Sequence, residues 1–417
     1  MLTSKRIAQS CAVAITCSLF PIAVPTAALA GSKDMPNPPV IFDIAKRKKT
    51  KRPITDWLRF SVYSHLRFLG ESQIERDDET PDRKDEFAAY LGFVGRADLG
   101  RGVTGFVNAE VNVREKQTHQ RSYDRIMRPS VKEALLSFPT SAIGQLSIGR
   151  LRLSDPHKWV ADASVNGLHY VSKSGDKAFE FAAVQGTRNV TATYVLLHRS
   201  QAFSARRQGA FAVVEHDAEE CRLHLSAYLG DQTSSRFSYQ LNAATVVGNA
   251  ADGRSIGVGI DARFIQKITA DRWNPQITYG FAIGTPGFQQ SGLHSNKTKD
   301  GGQTQFHRYG YVFQPELTNL AVATLAYGLR PSRKLSVDLS AHVYLQPSLT
   351  TSGPDARLKG ATTGAAHFVG SEISVAGAWR PSKKTKLEIG AGRFLPGPAY
   401  ADPSSASRVY MRLSVYF

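Results

Sequence analysis

The sequence predicts an all-β fold: a transmembrane antiparallel β-barrel of about eighteen strands, with short periplasmic turns and long extracellular loops. Three observations carry the prediction. The last ten residues, RVYMRLSVYF, alternate without a break, setting Val409, Met411, Leu413, Val415 and Phe417 against Arg408, Tyr410, Arg412, Ser414 and Tyr416. Successive strand residues point to opposite faces, so one face of this segment is apolar and the other polar. Beyond residue 30 no apolar run approaches the ~20 residues a spanning helix needs, although 42% of the chain is hydrophobic. The connections, finally, alternate between tight turns and long segments, as in a barrel whose two rims face different compartments.

In chain order, residues 1–30 read as a signal peptide. Lys5 and Arg6 precede the apolar stretch IAQSCAVAITCSLFPIAV, and AALA supplies small residues before Gly31. This is the pattern of a cleaved export signal, and with the barrel it places the protein in a Gram-negative outer membrane. Residues 31–54 are expected to form a basic, proline-containing periplasmic segment that includes KRKKTKR at 46–52. A charge block of that kind is normally a solvated tail. Residues 55–417 form the barrel.

Within the barrel, DWLRFSVYSHLRF sets Leu58, Phe60, Val62, Leu66 and Phe68 against Arg59, Tyr63, His65 and Arg67. VTGFVNAEVNVR sets Val107, Ala109, Val111 and Val113 against Asn108, Glu110, Asn112 and Arg114, and KLSVDLSAHVYL repeats the pattern. Period two with charge on one face suits a strand between lipid and water. Tight turns fall at DLGRG (98–102), PTSAIG (139–144), SKSGDK (172–177), RPSR (330–333) and RPSKK (380–384). The long segments 69–86, 114–130, 154–164, 286–304 and 346–369 then lie outside, and 305–318 is the stretch hardest to place. An even strand number returns Phe417 to the periplasm, and the ending resembles the signal by which such barrels are handed to their assembly machinery.

In IGRLRLSD (148–155) the parity sends Leu151 and Leu153 to lipid and Arg150 and Arg152 to the lumen. Leu146 and Ile148 fall on the arginine parity, so Gly149 is expected to mark a bulge that swaps faces. Lysine and arginine number 52 against 35 carboxylates, a formal net charge of +17. A lumen lined by cations concentrates anions and excludes cations. The polar parity offers Arg59, Arg67, Arg96, Arg114, Arg150, Arg152 and Arg412 for that lining.

Enzyme chemistry finds no support. Asp338 and His342 share a face, but four strand residues span ~13 Å, beyond hydrogen-bond reach. There is no phosphate loop and no Cys/His metal spacing, so no catalytic residue, cofactor or metal is expected. Nucleic acid is not the partner of an exported barrel.

Three stretches resemble one family, the outer-membrane alginate export porins: VKEALLSFPTSAIGQLSIGRLRLSDPHKWVADASVNGLHYV (131–171), FHRYGYVFQPELTNLAVATLAYG (306–328) and GRFLPGPAYADPSSASRVYMRLSVYF (392–417). The resemblance implies a monomeric barrel that passes a polyuronate outward through a constricted cationic pore. It implies constriction charges at Lys132, Glu133, Arg152 and Asp162, with Arg150 and Arg308 also matching family arginines. Lysine at position 132 keeps the charge but loses the planar, bidentate fork of the family's arginine. Other family arginines fall on Gln305, Gln314, Glu388 and Gly390, and the family's long periplasmic turn is reduced to RPSKK.

The expected function is therefore passive export of an anionic, alginate-like exopolysaccharide past Lys132, Glu133, Arg150, Arg152, Asp162, Arg308, Arg59 and Arg114. The alternative is an anion- or oligosaccharide-preferring diffusion porin for uptake. Expected partners are the polysaccharide, outer-membrane lipid and lipopolysaccharide, the barrel-assembly machinery acting on Phe417, and periplasmic polysaccharide-biosynthesis proteins.

Overall fold

The computed structural model describes residues 38–42, 52–53, 55–73, 83–118, 123–140, 143–186, 192–203, 206–217, 220–231, 236–250, 253–268 and 273–417. The expected signal peptide, most of the basic run 46–52 and the acidic stretch 74–82 lie outside the described residues.

Eighteen long strands follow one another. They are β1 (Leu58–Ser72), β2 (Arg83–Asp98), β3 (Thr104–Thr118), β4 (Tyr123–Pro139), β5 (Gly144–Ser154) and β6 (Asp162–Ser174). Next come β7 (Lys177–Gly186), β8 (Thr193–Phe203), β9 (Arg206–His216), β10 (Cys221–Asp231), β11 (Phe237–Ala250) and β12 (Gly253–Lys267). The last six are β13 (Gln276–Gly284), β14 (Leu320–Ser332), β15 (Leu335–Leu345), β16 (Phe368–Trp379), β17 (Thr385–Pro396) and β18 (Ala406–Tyr416). Each pairs antiparallel with the next, and β18 closes on β1 from Tyr63↔Tyr416 to Ser72↔Ser407. Closure gives every strand a neighbour on both sides, as strands that cross hydrocarbon require.

The parity read from the sequence holds around most of the wall. Leu66, Phe68, Leu339, Val343, Val409 and Met411 are exposed on the outside, while Tyr63, His65, Glu110, Asp338 and Ser414 are buried on the inside. The stretch 114–130 is not a long loop: β3 and β4 extend through most of it and continue their pairing to Gln117↔Tyr123. Polar residues such as Arg114 and Lys116 there carry strand pairing onward, because the ladder requires only backbone partners.

Two expectations change at the β5–β6 hairpin. Ile148 is 49% exposed, whereas Leu151 and Leu153 are 0% exposed and belong to an apolar cluster inside the barrel. No register slip occurs between β5 and β6, so the predicted bulge is absent. Instead Gly149 sits opposite Gly167, both with positive φ, 129° and 150°. A Cβ on Gly149 would lie 2.3 Å from Ala134 O, and one on Gly167 would lie 2.2 Å from Ala183 O. Pairing of β5 with β4 stops at Arg150, and pairing of β6 with β7 stops at Val165. Beyond that point neither arm is paired with a neighbouring wall strand, and the hairpin leaves the wall and bends inward. Its leucines therefore pack inside the barrel and not against lipid.

The connecting residues 155–161 reach the far wall. His157 Nδ1 bonds Asn242 Oδ1 of β11 at 2.7 Å, and Trp159 stacks on Phe288 with ring centroids 6.0 Å apart. A Gly167→Val substitution should straighten this bend, at a cost of about 2 kcal/mol or more for a backbone region that only glycine populates freely. The Trp159 emission, isolated by comparison with a Trp159→Phe control, should shift to the red. An unshifted spectrum would remove the glycine pair as the hinge.

The residues between β13 and β14, 285–319, also enter the lumen. Gly302 N donates to Asp338 Oδ1 (2.6 Å) and Gln303 N to Ser336 Oγ (2.9 Å), near the rim that carries the short turns. The chain then climbs back, and Phe313 N donates to Glu372 Oε2 at 2.9 Å, four residues after the start of β16 at the opposite rim. This segment spans the barrel from one rim to the other and returns, which is why 305–318 resisted placement as a strand. Its two short ladders, Lys297–Thr298 and Phe306–His307, pair only with each other.

The N-terminal segment contributes as well. Residues 38–42, expected beneath the barrel, lie inside it, with Ile41 and Phe42 buried and both amides bonded to Glu180 of β7. The run VIF is apolar, and a lumen already holding apolar side chains offers it a dry surface that the periplasm does not.

Candidate functional site

The inner wall of β1–β4 and the inward hairpin together carry most of the sequence-predicted charges. In β4 one extra residue sits between Asn108↔Glu133 and Ala109↔Val131. That residue is Lys132, and the bulge lets neighbouring Lys132 and Glu133 both join the inner face. Lys132 Nζ bonds Glu110 Oε2 at 2.5 Å and lies 5.8 Å from the Tyr63 ring centroid. Tyr63 donates its hydroxyl to Asn108 Oδ1 (3.0 Å), and Asn108 Nδ2 donates to Glu133 Oε2 (3.4 Å). The lysine is thereby held half-exposed over a buried polar ladder that spans three strands.

Arg152 makes the second cluster. Its Nη2 donates to Asp162 Oδ1 at 2.7 Å, and Ser295 Oγ donates to Asp162 Oδ2 at 2.7 Å, with Lys158 Nζ 3.6 Å away. Asp162 is buried while Arg152 stays partly exposed. Arg150 shares the hairpin face with Arg152 and makes no ion pair among the described residues. The bend at Gly149 thus keeps the arginines opposite the leucines, as the sequence required, but on a hairpin inside the barrel and not on its wall.

Arg114 lies on the inner parity of β3, its guanidinium carbon 5.9 Å from the Tyr90 ring centroid, with Arg67 at 5.4 Å from the same ring. Arg59 stands opposite Arg96 near the short-turn rim and is exposed. These two are separate from the Lys132 and Arg152 clusters.

Arg308 departs from the expectation. It is 2% exposed, and its guanidinium donates to Asp261 Oδ1 (2.5 Å), His157 O (2.8 Å) and Gln240 Oε1 (3.3 Å). Tyr309 donates to Asp261 Oδ2 (2.8 Å), and Trp159 Nε1 donates to the Tyr309 hydroxyl (2.7 Å). Burial, and then the Arg308 charge, lower the His157 pKa, so the imidazole is neutral. Arg308 is a strut that joins the luminal segment to the hairpin tip and β12; it does not line a water-filled path.

The carboxylates that fix the luminal segments were not foreseen. Glu372 accepts the amides of Tyr311, Val312 and Phe313, Asp338 accepts that of Gly302, and Asp155 accepts those of Val160 (2.8 Å) and Ala161 (2.6 Å). In the sequence each is a lone acid on the polar parity or in a loop, with nothing to mark its partner as backbone. At Gly390, where the resemblance puts an arginine, a Cβ would lie 2.9 Å from the Tyr311 hydroxyl. The luminal segment occupies that arginine's space.

A family model described as alginate export matches residues 169–413. The alginate production protein AlgE of Azotobacter vinelandii is 38% identical over 82 residues, which cover 18% of this chain and 17% of that protein. Among solved structures, Pseudomonas aeruginosa OccK5 (OpdH) aligns with a TM-score of 0.59 at 9% identity, covering 88% of this chain and 99% of that one. The outer membrane protein OprD from Pseudomonas aeruginosa aligns with a TM-score of 0.54 at 10% identity, covering 86% and 93%. Pseudomonas aeruginosa OpdK with vanillate gives 0.57 at 13% identity, covering 87% and 98%. At these identities the solved structures share the barrel fold alone.

Proposed function

Given that the chain belongs to the alginate export family and forms a closed outer-membrane barrel, we propose that it passes a linear polyanion such as alginate outward through its lumen. The observation that carries this reading is the pairing of half-exposed cations with buried acids: Lys132 on Glu110, and Arg152 on Asp162. Each cation stays partly exposed towards a passing carboxylate, while its buried partner holds it in place and makes the site shallow. Conduction needs several comparable weak sites and not one deep well. Lys132, Arg150 and Arg152 supply such sites, with Arg114 and Arg59 towards the two rims. Movement is passive, driven by synthesis upstream and delivered by periplasmic biosynthesis proteins. The barrel works as a monomer among lipid and lipopolysaccharide, and its assembly is directed by the exposed terminal Phe417.

A second reading is an anion- or oligosaccharide-preferring uptake porin. It is favoured by the narrowing that the hairpin and residues 285–319 impose, which suits small solutes. A polymer-release assay separates the two, since deletion should abolish secreted polysaccharide under the first reading and small-solute uptake under the second.

Charge reversal tests the cationic path itself. The double variant Lys132→Glu and Arg152→Glu should convert anion preference to cation preference, moving the reversal potential in a tenfold salt gradient across zero by tens of millivolts, on the order expected when a selectivity ring changes sign. A reversal potential that stays on the anion side would take both residues out of the filter.

A further inference from the structure

Residues 38–42 add no charge to the path just described, yet they occupy the barrel interior and are firmly seated there. Ile41 N donates to both oxygens of Glu180 (2.9 and 3.0 Å), and Phe42 N donates to Oε2 (3.2 Å). Ser200 Oγ of β8 donates to Pro39 O at 2.5 Å, and Ser154 N of β5 donates to Ile41 O at 2.8 Å. The Phe42 ring meets His169 of β6 edge-on, with centroids 5.2 Å apart. Ile41 and Phe42 belong to the same apolar cluster as Leu151, Leu153 and Val165. The segment therefore ties the inward hairpin to the wall.

The Glu180 cradle does not depend on its occupant. His169 Nε2 lies 2.8 Å from Oε2, and His198 Nδ1 lies 2.7 Å from Oε1. When the peptide leaves, the carboxylate keeps both imidazoles and water takes the place of two amides. A buried acid with no other partner would be costly to strip; this one is satisfied in both states. Recognition runs through main-chain groups of a short peptide, a mode that permits release without unpicking the wall.

We propose that residues 38–42 are a releasable stopper, a segment of this chain that sits in the Glu180 cradle at rest and leaves it to widen the passage. The proposal rests on the reading of the barrel as a conducting channel. Phe42→Cys in the full chain, reconstituted in liposomes, reports the seat through its labelling by a membrane-impermeant maleimide, with the labelling of the parent chain subtracted. Adding Glu180→Gln, which replaces one acceptor oxygen with a donor, should accelerate labelling about ten- to a hundredfold, the loss expected for buried hydrogen bonds to a charged group. The same change should raise single-channel conductance about twofold as cross-section is freed.

If Glu180→Gln does not yield the folded, heat-resistant barrel, Ile41→Pro deletes one donor without touching the wall, and the same two readings apply. Equal labelling rates with and without the change overturn the stopper. Faster labelling with unaltered current also overturns it while leaving the channel reading intact. A barrel that carries no current in any form sinks both.

Discussion

Replacing residues 286–318 with a short glycine–serine turn should raise single-channel conductance about tenfold, because an eighteen-strand barrel without filling elements encloses an open channel. The expectation follows from the path of the segment, which enters from one rim, reaches Asp338 and Ser336 near the other, and returns past Glu372. Along this path it places Phe288, Leu293, Phe313 and Leu317 in the interior cluster. The wall should survive the deletion, since every pairing from β1 to β18 is between the strands themselves. Planar-bilayer recording checks the prediction, with retained heat-modifiable migration as the folding control. A folded variant whose conductance is unchanged would mean that the segment does not limit flow.

The second large effect concerns the Arg308 strut. Arg308 and Asp261 are each 2% exposed and are bonded at 2.5 Å. Removing one member of a buried pair leaves an uncompensated charge and costs about 3–5 kcal/mol, whereas replacing both with apolar groups is often neutral. Arg308→Met should therefore loosen the luminal segment and make it cleavable by added chymotrypsin, with a rise in cutting of more than a hundredfold on that scale. The double variant Arg308→Met with Asp261→Leu should recover much of the protection. Equal protection of the single variant and the parent would mean that the pair contributes little. Lys132→Glu with Arg152→Glu acts on selectivity instead, so the two experiments probe the filling and the filter separately.

The wall of this barrel is legible in its sequence because lipid and water impose period two. The alternation in β1, β3, β15 and β18 predicts which residues meet hydrocarbon, and the ladder follows. What fills the wall is not legible by the same rule. Leu151 and Leu153 alternate with arginines whether the leucines face lipid or a packed interior, and only the glycine pair at 149 and 167 tells the two apart. Seeing that those glycines oppose one another requires the register of β5 against β6. The stretch 305–318 carries no period at all, since it packs on several sides at once. Its Arg308 matches the family's arginine in type but not in surroundings, because Asp261, Gln240 and the His157 carbonyl converge on it from distant parts of the chain. At Lys132 the family resemblance indicates the residue, while the bulge that turns it inward is visible only in the pairing with β3.

The acids that hold the interior segments bind their amide hydrogens and leave their side chains alone: Glu372 takes three in a row, Asp155 three, Glu180 two and Asp338 one. An amide is the same group in every residue except proline. At these amide anchors the interior side chains can therefore be rewritten without disturbing the fastening, while the wall stays constant; the Arg308–Asp261 strut is fastened by side chains and lies outside that freedom. Amide anchors of this kind let the calibre and chemistry of the bore change over evolutionary time at little risk to folding, with proline at an anchoring amide as the substitution those fastenings will not accept.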